Sequence, residues 1–159
     1  MQKTWIRILT TLMTIGIMLL IFLFSMEPAE QSDTTSGIIT EKVADTIRPG
    51  WRGMASAARK AFYDSIQYAV RKCAHFTEFA ILGFNLRLCL ESWLGNRRKI
   101  SLSAWITGTG YAVLDEIHQL WVDGRSGQWR DMLIDSAGVL AGVLLAVFLV
   151  KMIQKRTTA

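Results

Sequence analysis

The sequence has little of what soluble, disulfide-linked or disordered proteins are made from. Its 159 residues include only two cysteines and two prolines, 19% are charged, and 51% are hydrophobic. The mean hydropathy of +0.27 is too high for a typical soluble domain. Cys73 and Cys89 fall on one predicted helix, roughly 24 Å apart, which is too far for a disulfide bond. These shortages argue against a soluble enzyme, a disulfide scaffold and a disordered regulator, and the length suits one domain over residues 1–159.

Two long apolar runs, 8–24 and 133–153, are long enough or nearly so to cross a bilayer, which takes ~20 residues. The first run is longer than a signal-peptide core and no small-x-small cleavage site follows it, so we expect an uncleaved span. Two further apolar segments are interrupted by charges, and hydropathy alone supports them weakly. The sequence therefore predicts an all-α membrane protein with four transmembrane helices, at about 6–26, 69–93, 102–122 and 132–153.

The distribution of basic residues predicts the orientation of these spans. Seven basic and six acidic residues nearly balance over 27–72, whereas basic residues dominate the two termini and the loop at 95–100. We therefore expect both termini in the cytoplasm and Arg87 to reach toward the inner interface. Flanking charge of this kind also explains the net charge of +5 without nucleic acid. The eight basic residues on the inner side are Lys3, Arg7, Arg97, Arg98, Lys99, Lys151, Lys155 and Arg156.

The long loop after the first span carries two helical patterns. Thr35 or Ser36 is a suitable N-cap for a helix that ends at Arg48-Pro49-Gly50. A second pattern of apolar residues at helical spacing begins at Met54. We expect one or two amphipathic helices in this first extracytoplasmic loop, on the outer leaflet or over the helix ends, with Trp51 and Tyr63 at the interface. An ordinary solvated loop is the alternative.

Each of the last three spans carries one polar stripe. An ionisable group near the bilayer centre costs ~2.5–3.5 kcal/mol, so these stripes should face protein or water. All three reach the outer half of the predicted bundle, which predicts one outward-facing polar pocket. The spacing Gly138-x-x-x-Gly142 also allows two helices to approach closely. The pocket residues are Lys72, His75, Glu78, Asp115, Glu116, Gln119, Arg125, Asp131 and Asp135, with Arg71 on the same helix face.

Two interpretations of the pocket stay open. The charges can neutralise one another, Lys72 and Arg125 against the carboxylates, in which case they are structural. The other interpretation is a ligand or reaction site. It is favoured because charged groups inside a membrane are energetically costly and are usually functional. For His118 alone the structural interpretation is favoured.

Three stretches resemble the VanZ-like family of small membrane proteins. They are 71–84 (RKCAHFTEFAILGF), 114–125 (LDEIHQLWVDGR) and 130–138 (RDMLIDSAG). Asp135 stands where the family usually has Asn, and Asp123-Gly124 where it commonly has Pro-Gly. The resemblance implies a multi-pass protein of the bacterial cell membrane, related to a protein associated with low-level teicoplanin resistance. It implies no reaction and no substrate.

Chemistry assigns roles to the pocket residues. Arg71, Lys72 and Arg125 suit the phosphate or carboxylate of a membrane lipid or a lipid-linked wall precursor. Gln119, Asp131 and Asp135 complete the expected binding set. The candidate catalytic residues of a membrane-embedded hydrolase or transferase, which are also the candidate ligands of a divalent cation, are His75, Glu78, Asp115 and Glu116.

Two other functions compete with this one. The first is a non-enzymatic envelope protein that binds and acts through partners. The second, less favoured, is an ion-coupled transporter, since the inner half of the bundle shows no matching polar path. The large lipid-facing surface of four small spans is compatible with a homo-oligomer.

Overall fold

The chain is all-helical over the residues described by the structure, a computed structural model covering 4–95 and 97–157, without the side chains of 97, 98 and 157. Lys3 and the side chains of Arg97 and Arg98, on which the predicted orientation partly rests, lie outside the described part. The helices are α1 (Thr4–Ser25), α2 (Ala29–Ile47), α3 (Ser56–Leu94), α4 (Arg97–Gln119) and α5 (Trp129–Thr157). A short 3-10 turn, Trp51–Gly53, joins α2 to α3.

Helix α3 is the centre of the bundle, because it packs against each of the other four helices and most extensively against α5. Its buried face presents Phe79, Leu82 and Leu86 at helical spacing. Side chains from three neighbouring helices close the core around them. These are Ile21 of α1, Ala104 and Ala112 of α4, and Val139 and Val143 of α5.

Glycines bring α3 and α5 into direct backbone contact. A Cβ at Gly142 would overlap the carbonyl oxygen of Ala80, and one at Gly138 would overlap that of Phe76. From the other helix, a Cβ at Gly83 would overlap the backbone of Val139. The close approach predicted from the Gly-x-x-x-Gly spacing is therefore present in the structure.

Within the described residues, two helices are long and apolar enough to cross a membrane, judged by length and composition. They are α1 (Thr4–Ser25) and the part of α5 from Trp129 to Arg156. Many of their large apolar side chains are exposed, including Leu19, Leu20 and Leu144. Helices α3 and α4 do not pass the same test. The expectation that hydropathy supports the first and last spans strongly and the middle ones weakly is confirmed.

The first loop helix begins earlier than predicted. It starts at Ala29, directly after Pro28, so Thr35 and Ser36 lie inside it rather than capping it. The Ser36 hydroxyl donates to the Ser32 carbonyl, 2.9 Å away, as hydroxyls inside helices commonly do. The predicted N-cap was wrong, because a hydroxyl that donates to the carbonyl four residues earlier lies inside a helix and does not mark its start.

The second predicted loop helix and the predicted span at 69–93 are one continuous helix, α3, of 39 residues. It is about 58 Å long, nearly twice the thickness of a bilayer core. No glycine or proline interrupts residues 56–82, so nothing in the sequence breaks the helix where the loop was expected to end. The predicted loop helix therefore continues into the predicted span, and the entry of α3 into the bilayer near 69 stays a prediction.

Helix α2 packs on the first half of α3 to form a helical hairpin. Trp51, in its turn, is only 5% exposed, and its ring stacks on Tyr63 with 5.7 Å between centroids. Its indole N–H donates to Asp45 over 2.8 Å. Trp51 is thus part of a small hairpin core, and not the membrane-interface residue that its amphipathic ring suggested.

Arg87 is also placed differently from the expectation. Its side chain is buried, where Nε donates to the Ser101 hydroxyl over 3.1 Å and a terminal nitrogen bonds Glu91 at 2.8 Å. Helix α4 supplies a partner at this position, so the guanidinium stays inside the protein and does not extend to the interface.

Candidate functional site

The candidate site lies where α1 ends, α2 begins and the loop 120–128 joins α4 to α5. Gly124 adopts a φ of 72°, which favours glycine, and the backbone N–H of Arg125 donates to the Val122 carbonyl over 3.1 Å. The N–H of Ala29 donates to the Asp123 carbonyl over 3.2 Å. This turn therefore fixes Arg125 against the start of α2.

Arg125 is held by backbone carbonyls. Its Nε donates to the Glu27 carbonyl over 2.9 Å, and a terminal nitrogen donates to the Phe24 carbonyl over 3.2 Å. Carbonyls at the end of a helix lack intrahelical partners, so they suit a cation. No carboxylate among the described residues lies within 4.0 Å of the guanidinium. The expected ion pairing of Arg125 with the acidic residues is therefore absent from this part of the chain.

Two like charges face each other at this point. Arg71 lines the same cavities as Arg125 and pairs with Asp33 on α2 at 2.9 Å. Burial, followed by the nearby Arg71, lowers the pKa of Arg125 from its usual value. Arg125 is thus a partly buried cation close to another cation, while the carboxylates of Asp115, Glu27 and Glu116, none within 4.0 Å, offset part of this effect.

Lys72 makes the ion pair that Arg125 does not. Its amine pairs with the carboxylate of Asp131 in the first turn of α5. The two side chains are only 19% and 13% exposed. This pair links α3 to α5, and it is one of the pairings that the structural interpretation of the sequence allowed.

Two adjoining cavities contain most of the predicted cationic residues. They measure about 170 Å³ and about 90 Å³, and both are lined by Arg71, His75 and Arg125. The larger cavity is also lined by Phe24, Glu27, Ser32, Thr35, Ser36, Ile39, Val70, Ala74 and Glu78. The smaller is also lined by Ala29, Lys72, Gln119, Gly124, Ser126 and Asp131.

His75 and Glu78 lie one turn apart on α3 and both line the larger cavity. The Nδ1 atom of His75 is buried and has no hydrogen-bond partner among the described residues. A buried polar atom without a partner is costly, so this nitrogen is a good candidate for a ligand contact.

Helix α4 supplies residues that connect elements. The Gln119 amide donates to Asp115 over 3.1 Å and to the Ser25 hydroxyl at the end of α1 over 3.0 Å. Glu116 accepts the backbone N–H of Gln128 over 2.8 Å and so holds the loop before α5. Of the predicted residues on this helix, Gln119 alone lines one of the two cavities described.

Asp135 lines neither of the two cavities described. It is 1% exposed, and neither carboxylate oxygen has a hydrogen-bond partner among the described residues. Glu116, Asp115 and Asp131 are close enough to act on it electrostatically. Its burial is therefore not explained by the hydrogen bonds that hold its neighbours.

A family model described as VanZ/LLP1 matches residues 10–150, which include all or most of every helix that builds the site. The chain belongs to the VanZ/LLP1 family. The resemblance drawn from its polar stretches is confirmed by this match. No curated protein and no solved structure was found to match the chain.

The metal hypothesis gains no geometric support in this VanZ/LLP1 chain. Within residues 4–95 and 97–157, no three His, Cys, Asp or Glu side chains come together in a way that could hold a metal ion. The candidates are divided, because His75 and Glu78 line a cavity. Asp115 instead accepts a hydrogen bond from Gln119, and Glu116 accepts one from the backbone of Gln128.

The contribution of α2 was missed by the sequence reasoning. This helix covers one side of the larger cavity with Ser32, Thr35, Ser36 and Ile39. A signal was present, because serine and threonine are dense over 32–36. That signal was interpreted as a helix start, and no pattern within the loop itself shows which face meets α3.

Proposed function

We propose that this VanZ/LLP1 protein is a four-span protein of the bacterial envelope with both termini in the cytoplasm, whose outward-facing pocket binds the anionic group of a lipid or cell-wall precursor. Helices α1, α3, α4 and α5 are the four spans. The basic residues near 97–99 and 151–156 would then lie inside, and the two cavities outside. A part in teicoplanin resistance belongs to this proposal.

The pairing of Arg71 and Arg125 is the observation that carries the proposal. Both guanidinium groups line both cavities, and Arg125 lacks a carboxylate partner among the described residues. Like charges near each other are unfavourable, and a bound phosphate or carboxylate would remove the repulsion. Two of the five Arg125 donors are used by the carbonyls, which leaves part of its planar fork for such a group.

Structural ion pairing accounts for some of the site. Lys72 with Asp131, and Arg71 with Asp33, are pairs that the fold needs no ligand to explain. The same account does not cover Arg125 or the buried Nδ1 of His75. These two groups therefore favour a ligand over charge neutralisation alone.

Native mass spectrometry of the protein extracted gently in its own lipids tests the binding. We expect a co-purifying anionic molecule in the wild type that is lost in Arg125→Gln. The matched control is Arg48→Gln, since Arg48 is an exposed arginine at the end of α2 and lines neither cavity. A bare protein in all three samples, or a ligand retained by Arg125→Gln, would contradict the proposal.

A reaction in the pocket would require proton transfer, for which His75 and Glu78 on α3 are the candidates in the larger cavity. The isosteric variants His75→Asn and Glu78→Gln separate catalysis from binding. A hydrolase or transferase should lose its effect on teicoplanin susceptibility in both variants at normal membrane levels. Full retention in both would restrict the protein to binding.

A further inference from the structure

The larger cavity is lined by both charged and apolar side chains. The charged ones are Arg71, Arg125, Glu27 and Glu78. The apolar ones, here called the apolar wall, are Phe24, Ile39, Val70 and Ala74. A cavity of this kind matches a molecule that is charged at one end and apolar at the other.

The apolar wall continues onto the outside of the bundle. Phe24 is in the last turn of α1, and it is exposed together with Leu20 and Leu23 on the same helix. This is the helix that has the length and composition of a membrane span. With α1 as a span, as proposed above, this exposed apolar surface lies against hydrocarbon and the cavity opens beside lipid.

The smaller cavity is lined almost wholly by polar groups and is small. Its volume is about 90 Å³, roughly half that of the larger cavity. This polar lining suits a phosphate or carboxylate group between Arg71 and Arg125. Because both cavities share those two arginines, one molecule can occupy both.

We propose that the ligand is a membrane-borne amphiphile with a single phosphate as its head. The phosphate lies in the smaller cavity between Arg71 and Arg125, and the first part of its hydrocarbon chain leaves through the larger cavity past Ala74 and Phe24. This inference rests on the proposed anion binding and names the substrate class. Free inorganic phosphate shares the head-group chemistry, and the apolar wall favours the lipid.

The test uses the full-length protein in phosphatidylcholine nanodiscs, with or without phosphatidic acid. The readout is the unfolding temperature followed by the fluorescence of the six tryptophans. A ligand present at 100 times its Kd stabilises by about 2.7 kcal/mol, a shift of several degrees in Tm. We expect phosphatidic acid to raise Tm by that much, and inorganic phosphate in the buffer to have a small effect.

Two tryptophan substitutions give a matched comparison. Ala74→Trp should fill the apolar passage and abolish the shift caused by phosphatidic acid. Ala69→Trp adds the same ring at another exposed position of α3 that lines neither cavity, and should keep the shift. Should Ala74→Trp lower the Tm without ligand, Ile39→Ser makes the same wall polar and should weaken the shift.

The outcomes separate this inference from the anion binding on which it rests. A full shift with inorganic phosphate, or a lipid shift that persists in both Ala74→Trp and Ile39→Ser, overturns the amphiphile while leaving anion binding intact. A lipid shift that persists in Arg125→Gln overturns the proposed function as well. Loss in Ala74→Trp and Arg125→Gln together with retention in Ala69→Trp supports both.

Discussion

Among single residues, Lys72 and Asp131 form an ion pair in which both side chains are mostly buried. We predict that Lys72→Met lowers the free energy of unfolding by about 3 kcal/mol, since it leaves the Asp131 carboxylate in a poorly solvated place. Reversible unfolding in SDS mixed micelles, followed by circular dichroism, measures the change.

The exposed Lys60–Asp64 pair is the control, with side chains that are 79% and 55% exposed. Lys60→Met should change the stability by less than about 0.5 kcal/mol, as exposed pairs contribute little. The double variant Lys72→Met/Asp131→Leu should recover most of the loss. Equal effects of Lys72→Met and Lys60→Met would show that burial does not govern the pair.

Asp45 gives the α2–α3 hairpin a dependence on pH. The Trp51 indole N–H, followed by the Arg52 guanidinium, lowers the pKa of Asp45 from its usual value. Because the folded pKa lies below the unfolded one, the stabilisation is present above about pH 4 and is lost as the pH falls further. We predict that the Trp51 indole proton loses its protection from exchange over that range, measured by NMR.

Asp45→Asn is the control for this titration. The amide can still accept a hydrogen bond from Trp51, but it does not change its charge with pH. Exchange of the Trp51 proton should therefore show no carboxylate titration in this variant. An identical acid transition in both proteins would assign it to another group.

The packing of α3 against α5 depends on glycines, which let the two helix backbones touch. Gly142→Ala puts a Cβ into the backbone of Ala80, which cannot move aside as a flexible side chain can. We predict a loss of about 1–3 kcal/mol in the free energy of unfolding, the usual cost of overpacking. The SDS unfolding assay measures it.

Gly110→Ala is the matched control in α4. Nothing lies within 4 Å of the Cβ that would be added there. Alanine has the higher helix propensity, so this variant should be neutral or up to about 1 kcal/mol more stable than the wild type. If both alanines have the same effect, the contact between α3 and α5 is looser than the structure shows.

The arrangement of spans is a prediction about the whole molecule, and Lys99 decides it. With four spans, Lys99 at the start of α4 lies in the cytoplasm. With α1 and α5 as the only spans, everything between them, including Lys99, lies outside. We predict that Lys99→Cys, in a Cys73→Ala/Cys89→Ala background, reacts with a membrane-impermeant maleimide only after the cells are permeabilised.

Two positions calibrate the labelling. Gly53→Cys, in the exposed turn of the α2–α3 hairpin, should react in intact cells, and Lys151→Cys, near the end of α5, should react only after permeabilisation. Labelling of Lys99→Cys in intact cells at the rate of Gly53→Cys would replace the four-span arrangement with a two-span one.

Periodicity on single helices explains how far the site could be predicted. Arg71, His75 and Glu78 fall on one face of a helix by spacing alone, and the structure puts all three against the larger cavity. The role of α2 could not be predicted in the same way, since α2 lies against α3 only because of the turn of the hairpin. The continuity of α3 was also missed, because the pattern from Met54 and the apolar segment from 69 were interpreted as a loop helix and a span.

The sequence by itself determined the helical class, the two strongly apolar spans, the family and the glycine contact of α5. These follow from composition and from spacing within single helices, which are local properties. Only the tertiary structure decided which charges meet. Arg125 donates to the carbonyl of Phe24, 101 positions away in sequence, while Lys72 pairs with Asp131. Packing between distant segments decides which acceptor each cation reaches.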